Sequence, residues 1–228
     1  MEEIMALQDR LDAFRADFEA GKPPYNAPAW IHEPMHRATK ELIDSGGAER
    51  ALTVGDTAPL FTLKDADGHE VSSADLLARG PLIVSFYRGI WCPYCNMDLQ
   101  ALEAAIPQFQ KLGASLVAIS PQTPPNSRRS QRENNLHFPI LSDSGNKVAA
   151  AFGLRFTLPE YLIDVYKNVF KNNLPVVNGD PSWTLPMPAR YVISQDGTIL
   201  YAEVNPDYTQ RPEPEDLIPV LEKLHAIA

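Results

Sequence analysis

Apolar residues at the start of the chain recur every three or four positions, at Ile4, Leu7, Leu11, Phe14 and Phe18. That spacing puts one apolar stripe on a helix. Gly21, Pro23 and Pro24 stop it. A second, shorter helix is predicted from Pro34 to the Gly46-Gly47 pair, because proline suits a first helical position and glycine the position just past the end. Residues 1–50 therefore read as a helical extension, docked on the main domain of residues 51–228 or on a second subunit.

The pattern then changes to alternation of element types. "LIVSFY" (82–87) is a compact, β-branched run and predicts a buried strand. Residues 93–112 predict a helix with Leu99, Leu102, Ile106, Phe109 and Leu112 on one face, kinked at Pro107. "ASLVAIS" (114–120) predicts the next strand, and a helix capped by Asn126 or Ser127 runs to about Asn135. "HFPIL" predicts a short strand, "NKVAAAFGL" a short helix ending at Gly153, and residues 159–172 another helix. Residues 173–188, rich in Pro and Asn, read as a loop. "RYVIS" and "TILYAEV" flank an Asp196-Gly197 turn and predict a hairpin. A helix from about Glu215 to His225 closes the chain. Strand–helix alternation followed by a hairpin and a helix implies an α/β domain with a mixed sheet.

Composition narrows the function classes. The chain has 228 residues, 44% of them hydrophobic, enough for a real core. Its formal charge of −9 repels a phosphate backbone, so nucleic acid is not an expected partner. The short basic cluster Arg128, Arg129 and Arg132 reads as a solvated helix face, with an anion or partner site as the other reading. The start "MEEIMALQDR" lacks a basic segment followed by an apolar one, so no secretory signal is expected. No run approaches the roughly 18 apolar residues of a membrane span. The expected location is the cytoplasm, where thiols stay reduced. "HEPMH" (32–36) matches a zinc-protease pattern that needs both histidines on one helical face. A helix beginning at Pro34 leaves His32 outside, so these read as ordinary histidines at a helix entrance.

The only two cysteines, Cys92 and Cys95, lie in "FYRGIWCPYC", between the predicted buried strand and the predicted helix. Chemistry in open α/β sheets gathers at the carboxyl ends of strands. Unpaired N–H groups and the helix dipole at a helix start favour a thiolate over a thiol. In this arrangement one sulphur is expected to be exposed and the other a turn behind it, with reversible disulphide formation feasible. Zinc needs a second ligand pair that the chain does not supply as cysteines. Two inert core thiols among Trp91, Pro93 and Tyr94 are the bland alternative; redox chemistry is the favoured one.

"VGDTAPLFTLKDADGHEVSSADLL" (54–77), "GPLIVSFYRGIWCPYCNMDLQAL" (80–102) and "LVAISPQTP" (116–124) resemble the peroxiredoxin-like proteins of the alkyl hydroperoxide reductase / thiol-specific antioxidant family. So do "FPILSDSGNKVAAAFGL", "LPVVNGDPSWTLPMPARYVISQDG" and "NPDYTQRPEPEDL". The resemblance spans about residues 52–218. It implies a thioredoxin fold, with a central mixed β-sheet flanked by helices, and an antioxidant thiol peroxidase that needs no cofactor and no metal. It also implies thioredoxin or a small thiol as electron donor. Counted from Phe86-Tyr87, the family's peroxide-attacking cysteine falls on Cys95, and its usual threonine falls on Cys92. The family's peroxide-polarising arginine falls on Pro188, with Arg190 two residues on. Pro188 also looks like the cis-proline that thioredoxins place against a C-x-x-C.

The leading expectation is that Cys95 attacks a hydroperoxide and Cys92 resolves the sulphenic acid as a disulphide. The alternatives are a disulphide oxidoreductase with Cys92 as nucleophile and a redox-gated interaction module. Arg88 either holds the thiolate or peroxide, or is a surface residue. Tyr87 belongs to the same segment. Trp91 forms a docking surface or packs. Trp183 walls the pocket, with Leu185 and Met187 favouring an organic hydroperoxide or a peptide, or it is core. Asp143 reads first as a turn and helix cap. The apolar face of the extension needs covering, which suggests a homodimer.

Overall fold

The computed structural model describes residues 5–226. Helices α1 (Leu7–Glu19) and α2 (His32–Asp44) come first, then the hairpin of β1 (Thr62–Lys64) and β2 (Glu70–Ser72) and the short α3 (Ser73–Leu77). Next are β3 (Leu82–Phe86), α4 (Pro93–Lys111), β4 (Ser115–Ser120), α5 (Pro124–Asn134), β5 (Ile140–Ser142) and α6 (Lys147–Ala151). They are followed by β6 (Arg155–Thr157), α7 (Glu160–Asn168), α8 (Leu174–Asn178) and β7 (Thr184–Pro186). Strands β8 (Ala189–Ile193) and β9 (Ile199–Val204) precede the last helix, α9 (Ile218–His225).

Seven strands form one mixed sheet in the order β2-β1-β5-β4-β3-β8-β9. Strands β3, β4 and β5 run parallel, while β8 is antiparallel to β3. Every residue of β3 is buried, which explains why its sequence is apolar on both faces, save for Ser85, and not an alternation. Ile83 points to the face covered by α1, α4 and α9, and Leu82, Val84 and Phe86 point to the opposite core with Phe152 and Tyr191. The strand thus ends, with helices on both faces, at the segment that carries the cysteines.

The extension docks on its own chain. Leu7 and Leu11 of α1 are buried in the α4–α9 core, and Ile31 is buried with Leu162, Val165 and Tyr166 of α7. Burying each of these side chains is worth about 1.5–3 kcal/mol. The stripe read as needing a second subunit is therefore covered within the chain; Ile4 lies outside the described residues. Two hydrogen-bonded ties add direction. The Glu213 carboxylate accepts from the backbone N–H groups of Leu7 (3.0 Å) and Gln8 (3.1 Å), satisfying the first turn of α1. The Gln8 amide accepts from the Arg211 N–H (2.9 Å) and donates to the Thr209 carbonyl (3.3 Å).

Several elements differ from expectation. Helix α2 begins at His32, not Pro34, because a proline in the first turn removes an N–H that has no helical partner anyway. Both histidines of "HEPMH" are therefore helical, with ring centroids 6.5 Å apart. Among the described residues no group of three metal-ligating side chains is assembled. The stretch 173–188 is not a plain loop: it contains α8 and β7, and β7 pairs with β6 in a small second sheet. Helix α5 starts at Pro124, after Thr123, earlier than the Asn126 or Ser127 cap. Helix α7 stops at Asn168, short of 172. The Arg128, Arg129 and Arg132 side chains are exposed on α5, with Arg129 paired to Glu133 one turn on.

Candidate active site

Cys92 is the N-cap of α4, Pro93 its first residue, and Cys95 lies in its first turn. The loop that delivers them is pinned from two sides. The Gln122 side chain, just past β4, accepts from the Ile90 N–H (2.9 Å) and donates to the Tyr87 hydroxyl (2.7 Å) and the Ser130 hydroxyl (2.9 Å). Asn96 donates to the Ile90 carbonyl (2.7 Å). Tyr87 is fully buried, so its hydroxyl must be satisfied internally, and it anchors the loop. Gly89 has φ +145°, and a Cβ there would lie 2.6 Å from the Trp91 indole nitrogen, so only glycine fits.

The two sulphurs are 2.7 Å apart. Both are buried, at 2% exposure for Cys92 and 0% for Cys95, so the expectation of one exposed sulphur does not hold. The reason is local: Phe14, Tyr94 and Tyr208 stack edge to face around the helix start and close it over. Cys92 still lines a cavity of about 340 Å³, shared with Arg88, Trp91 and Tyr25.

Burial pushes both thiols up, and the surroundings then separate them. At Cys95 the burial cost is exceeded by a hydrogen bond from the Cys92 S–H, the Arg211 and Arg88 guanidiniums and the Arg88 backbone N–H, which bring its pKa down to about 6. Cys92 is raised well above the ordinary thiol value by burial, by donating to Cys95 and by the Cys95 charge. Position at the helix N-terminus works in the same direction for Cys95.

Two buried guanidiniums flank the pair. Arg211 lies 3.4 Å from the Cys95 sulphur through Nη2, 3.1 Å from Asp98 through Nε, and donates to the Tyr208 and Gln210 carbonyls. Asp98 sits one turn after Cys95 on α4 and also accepts from Arg190. Arg88 is 3% exposed, donates to the Tyr166 hydroxyl and stacks over Tyr208 (4.1 Å) and Trp91 (4.9 Å). It is therefore not a surface residue.

The sequence-predicted residues divide accordingly. Cys92, Cys95, Arg88, Tyr87 and Trp91 come together. Pro188 is buried between the two arginine environments, lining a cavity with Arg88 and bordering Asp98 and Arg211. Its peptide bond is trans; the one cis bond among the described residues is Pro23–Pro24. Trp183, Leu185 and Met187 do not wall the thiol cavity. Trp183 and Leu185 belong to the core around α7, where Lys167 lies over the Trp183 ring, and Met187 is buried in the core of the opposite sheet face. Asp143 accepts from the Val148 and Ala149 N–H groups at the start of α6, as a cap. Sequence reasoning missed Arg211, Asp98, Tyr166 and Tyr208. Only Asp98 carried a signal, its spacing of three from Cys95 on one helix.

A mixed sheet with a thiol pair at the strand-to-helix junction defines a thioredoxin-fold protein with a redox-type cysteine site. The chain belongs to the AhpC/TSA family, whose model matches residues 54–202. Chloroplastic peroxiredoxin Q of Sedum lineare is 34% identical over 134 residues, covering 53% of this chain and 72% of that protein. A Mycobacterium tuberculosis protein that carries a peroxiredoxin name is 39% identical over 102 residues, 45% of this chain. The match spans 64% of that relative's length. Among solved structures, peroxidoxin BcpB of Mycobacterium tuberculosis superposes with a TM-score of 0.60 at 22% identity, over 78% of this chain and 99% of that one.

Proposed function

We propose that this chain is a thiol peroxidase that reduces hydroperoxides through Cys95 and Cys92. The observation that carries it is geometric: the two sulphurs touch at 2.7 Å beside two buried guanidiniums, with Arg211 3.4 Å from Cys95, and these surroundings draw the Cys95 pKa down while burial and its neighbour push that of Cys92 up. The thiolate attacks the terminal oxygen of R–O–O–H, the O–O bond breaks, and Cys95 becomes a sulphenic acid while RO⁻ takes up a proton to leave as ROH. The Cys92 thiol then attacks the Cys95 sulphur, forming the disulphide and releasing water. An external dithiol of the thioredoxin type returns both cysteines to thiols, being oxidised to its own disulphide. The Sedum relative's peroxiredoxin name and a Xanthomonas campestris structure titled for alkyl peroxide reduction, at TM-score 0.54 and 17% identity, agree with this reading. The cytoplasm and a thioredoxin-like donor fit a cycle that needs a reducing pool; because α1 is covered by its own chain, the expected homodimer has to form through another surface, and sedimentation checks it.

Stopped-flow mixing of reduced protein with hydrogen peroxide or cumene hydroperoxide tests it. Cys95→Ser should abolish thiol loss, and Cys92→Ser should leave a sulphenic acid that a dimedone probe captures. Peroxide oxidation no faster than that of free cysteine would overturn the reading. One observation favours a second: Cys92, not Cys95, lines the cavity. A disulphide oxidoreductase with Cys92 as nucleophile predicts fast reduction of a test disulphide that Cys95→Ser does not prevent at its first step.

A further inference from the structure

Arg88 is enclosed almost completely, yet no carboxylate of the described residues pairs with it. One nitrogen donates to Tyr166, two aromatic faces receive the charge, and Nε has no partner. The residue stands in a wall between two cavities. One contains Cys92. The other, about 430 Å³, contains neither sulphur and is roofed by α2 of the extension. That second cavity is apolar along Met35, Ala38, Leu42, Phe156, Leu158 and Leu162. Arg88 is the single cation in its lining. Glu41 is the single carboxylate there, and it already accepts from Arg37 and Tyr161.

A buried cation in the lining of an otherwise apolar cavity of this size suits a ligand that pairs one anionic group with a hydrocarbon body. The planar guanidinium matches a carboxylate in shape and charge. We propose that this cavity binds an aliphatic monocarboxylate of medium chain length, its carboxylate on Arg88 and its chain along Leu42, Leu158 and Leu162. The ligand lies across Arg88 from the sulphurs and undergoes no redox step. Because the same guanidinium faces Cys92, Cys95, Tyr166 and Tyr208, with Glu41 elsewhere in the cavity lining, carboxylate binding and Cys95 ionisation compete for one positive charge. The site is thus a brake on thiolate reactivity, formed between the extension and the main domain.

Octanoate and octan-1-ol are the probes, titrated into the reduced full-length chain by calorimetry. Octanoate should bind saturably at one site and roughly tenfold or more tighter than the alcohol, the difference being the charge-assisted pairing. Saturating octanoate should also lower the Cys95 thiolate absorbance at about 240 nm at pH 7, read as the difference between the parent chain and Cys95→Ser, while octan-1-ol leaves it unchanged. Ala38→Trp, which fills the cavity, should abolish octanoate binding; if that variant does not fold, Leu42→Phe takes its place. No saturable octanoate binding, equal binding of the alcohol, or an unchanged Cys95 thiolate signal overturns the proposal. None of these readouts depends on peroxidase activity, so the proposal can fail while the peroxidase reading stands, and the reverse.

Discussion

The two sides of the sulphur pair solve one problem, a buried positive charge, in opposite ways. On the Arg211 side the charge is shared: Asp98 holds Arg211 and Arg190 together, the Tyr208, Gln210 and Pro212 carbonyls take three further N–H donors, and Arg190 Nε is left without a partner. On the Arg88 side no carboxylate enters; a hydroxyl and aromatic faces stand in for it. The first arrangement fixes geometry, because each hydrogen bond has a direction. The second leaves more of the charge free to act on whatever anion comes near, thiolate or ligand. A site that must both hold a thiolate in place and respond to its surroundings gains from having one of each.

The largest test of this contrast is Asp98→Ala. Removing the shared carboxylate strands two buried guanidiniums, and chemical denaturation should show a loss of about 3–5 kcal/mol. Next comes pH. The Cys95 pKa is lowered to about 6, so the unfolded chain binds more protons than the folded one between that value and the ordinary thiol value of 9.0. Cys95 therefore contributes stability that is fully present above the ordinary value and lost as pH falls through about 6, on the order of a few kcal/mol. Cys92, shifted upward, contributes in the opposite sense above the ordinary thiol value. Denaturation curves across pH 5–8 should rise for the parent chain and flatten for Cys95→Ser. On the other side of the pair, Tyr166→Phe removes the one hydroxyl that Arg88 donates to. Its cost should be about 1.5–3 kcal/mol, below that of Asp98→Ala, and a larger loss would erase the contrast. Smallest is Glu213→Gln, which weakens the cap on α1 at a cost near 1 kcal/mol and should increase amide exchange at Leu7 and Gln8.

Much of this was legible in the chain, for physical reasons. The β3 run, the α4 face and the hairpin at Asp196-Gly197 are local patterns, each fixed by periodicity or turn chemistry within ten or twenty residues. The cysteine pair inherits its place from them. Arg211 was not legible: it lies in a polar segment without periodicity and meets Cys95 across 116 residues of sequence. Tyr166 reads as one more apolar position on α7, and only the fold turns it toward Arg88. The region around Trp183 misled because closeness to Pro188 in sequence suggested closeness to the thiols. Instead, Trp183, just before β7, and Leu185 within it pack toward α7, and Met187, just after it, lies in the core of the sheet. Helix α2 began earlier than expected because the first turn tolerates the proline that would break a later one.

In the proposed cycle, the contact between the two sulphurs sets how long the oxidised intermediate survives. A sulphenic acid that forms already touching its resolving thiol closes without waiting for the helix to fray. A second peroxide then has little time to carry Cys95 on to the irreversible sulphinic state. On that reading the chain endures repeated oxidant pulses, where a site with a distant partner accumulates damage.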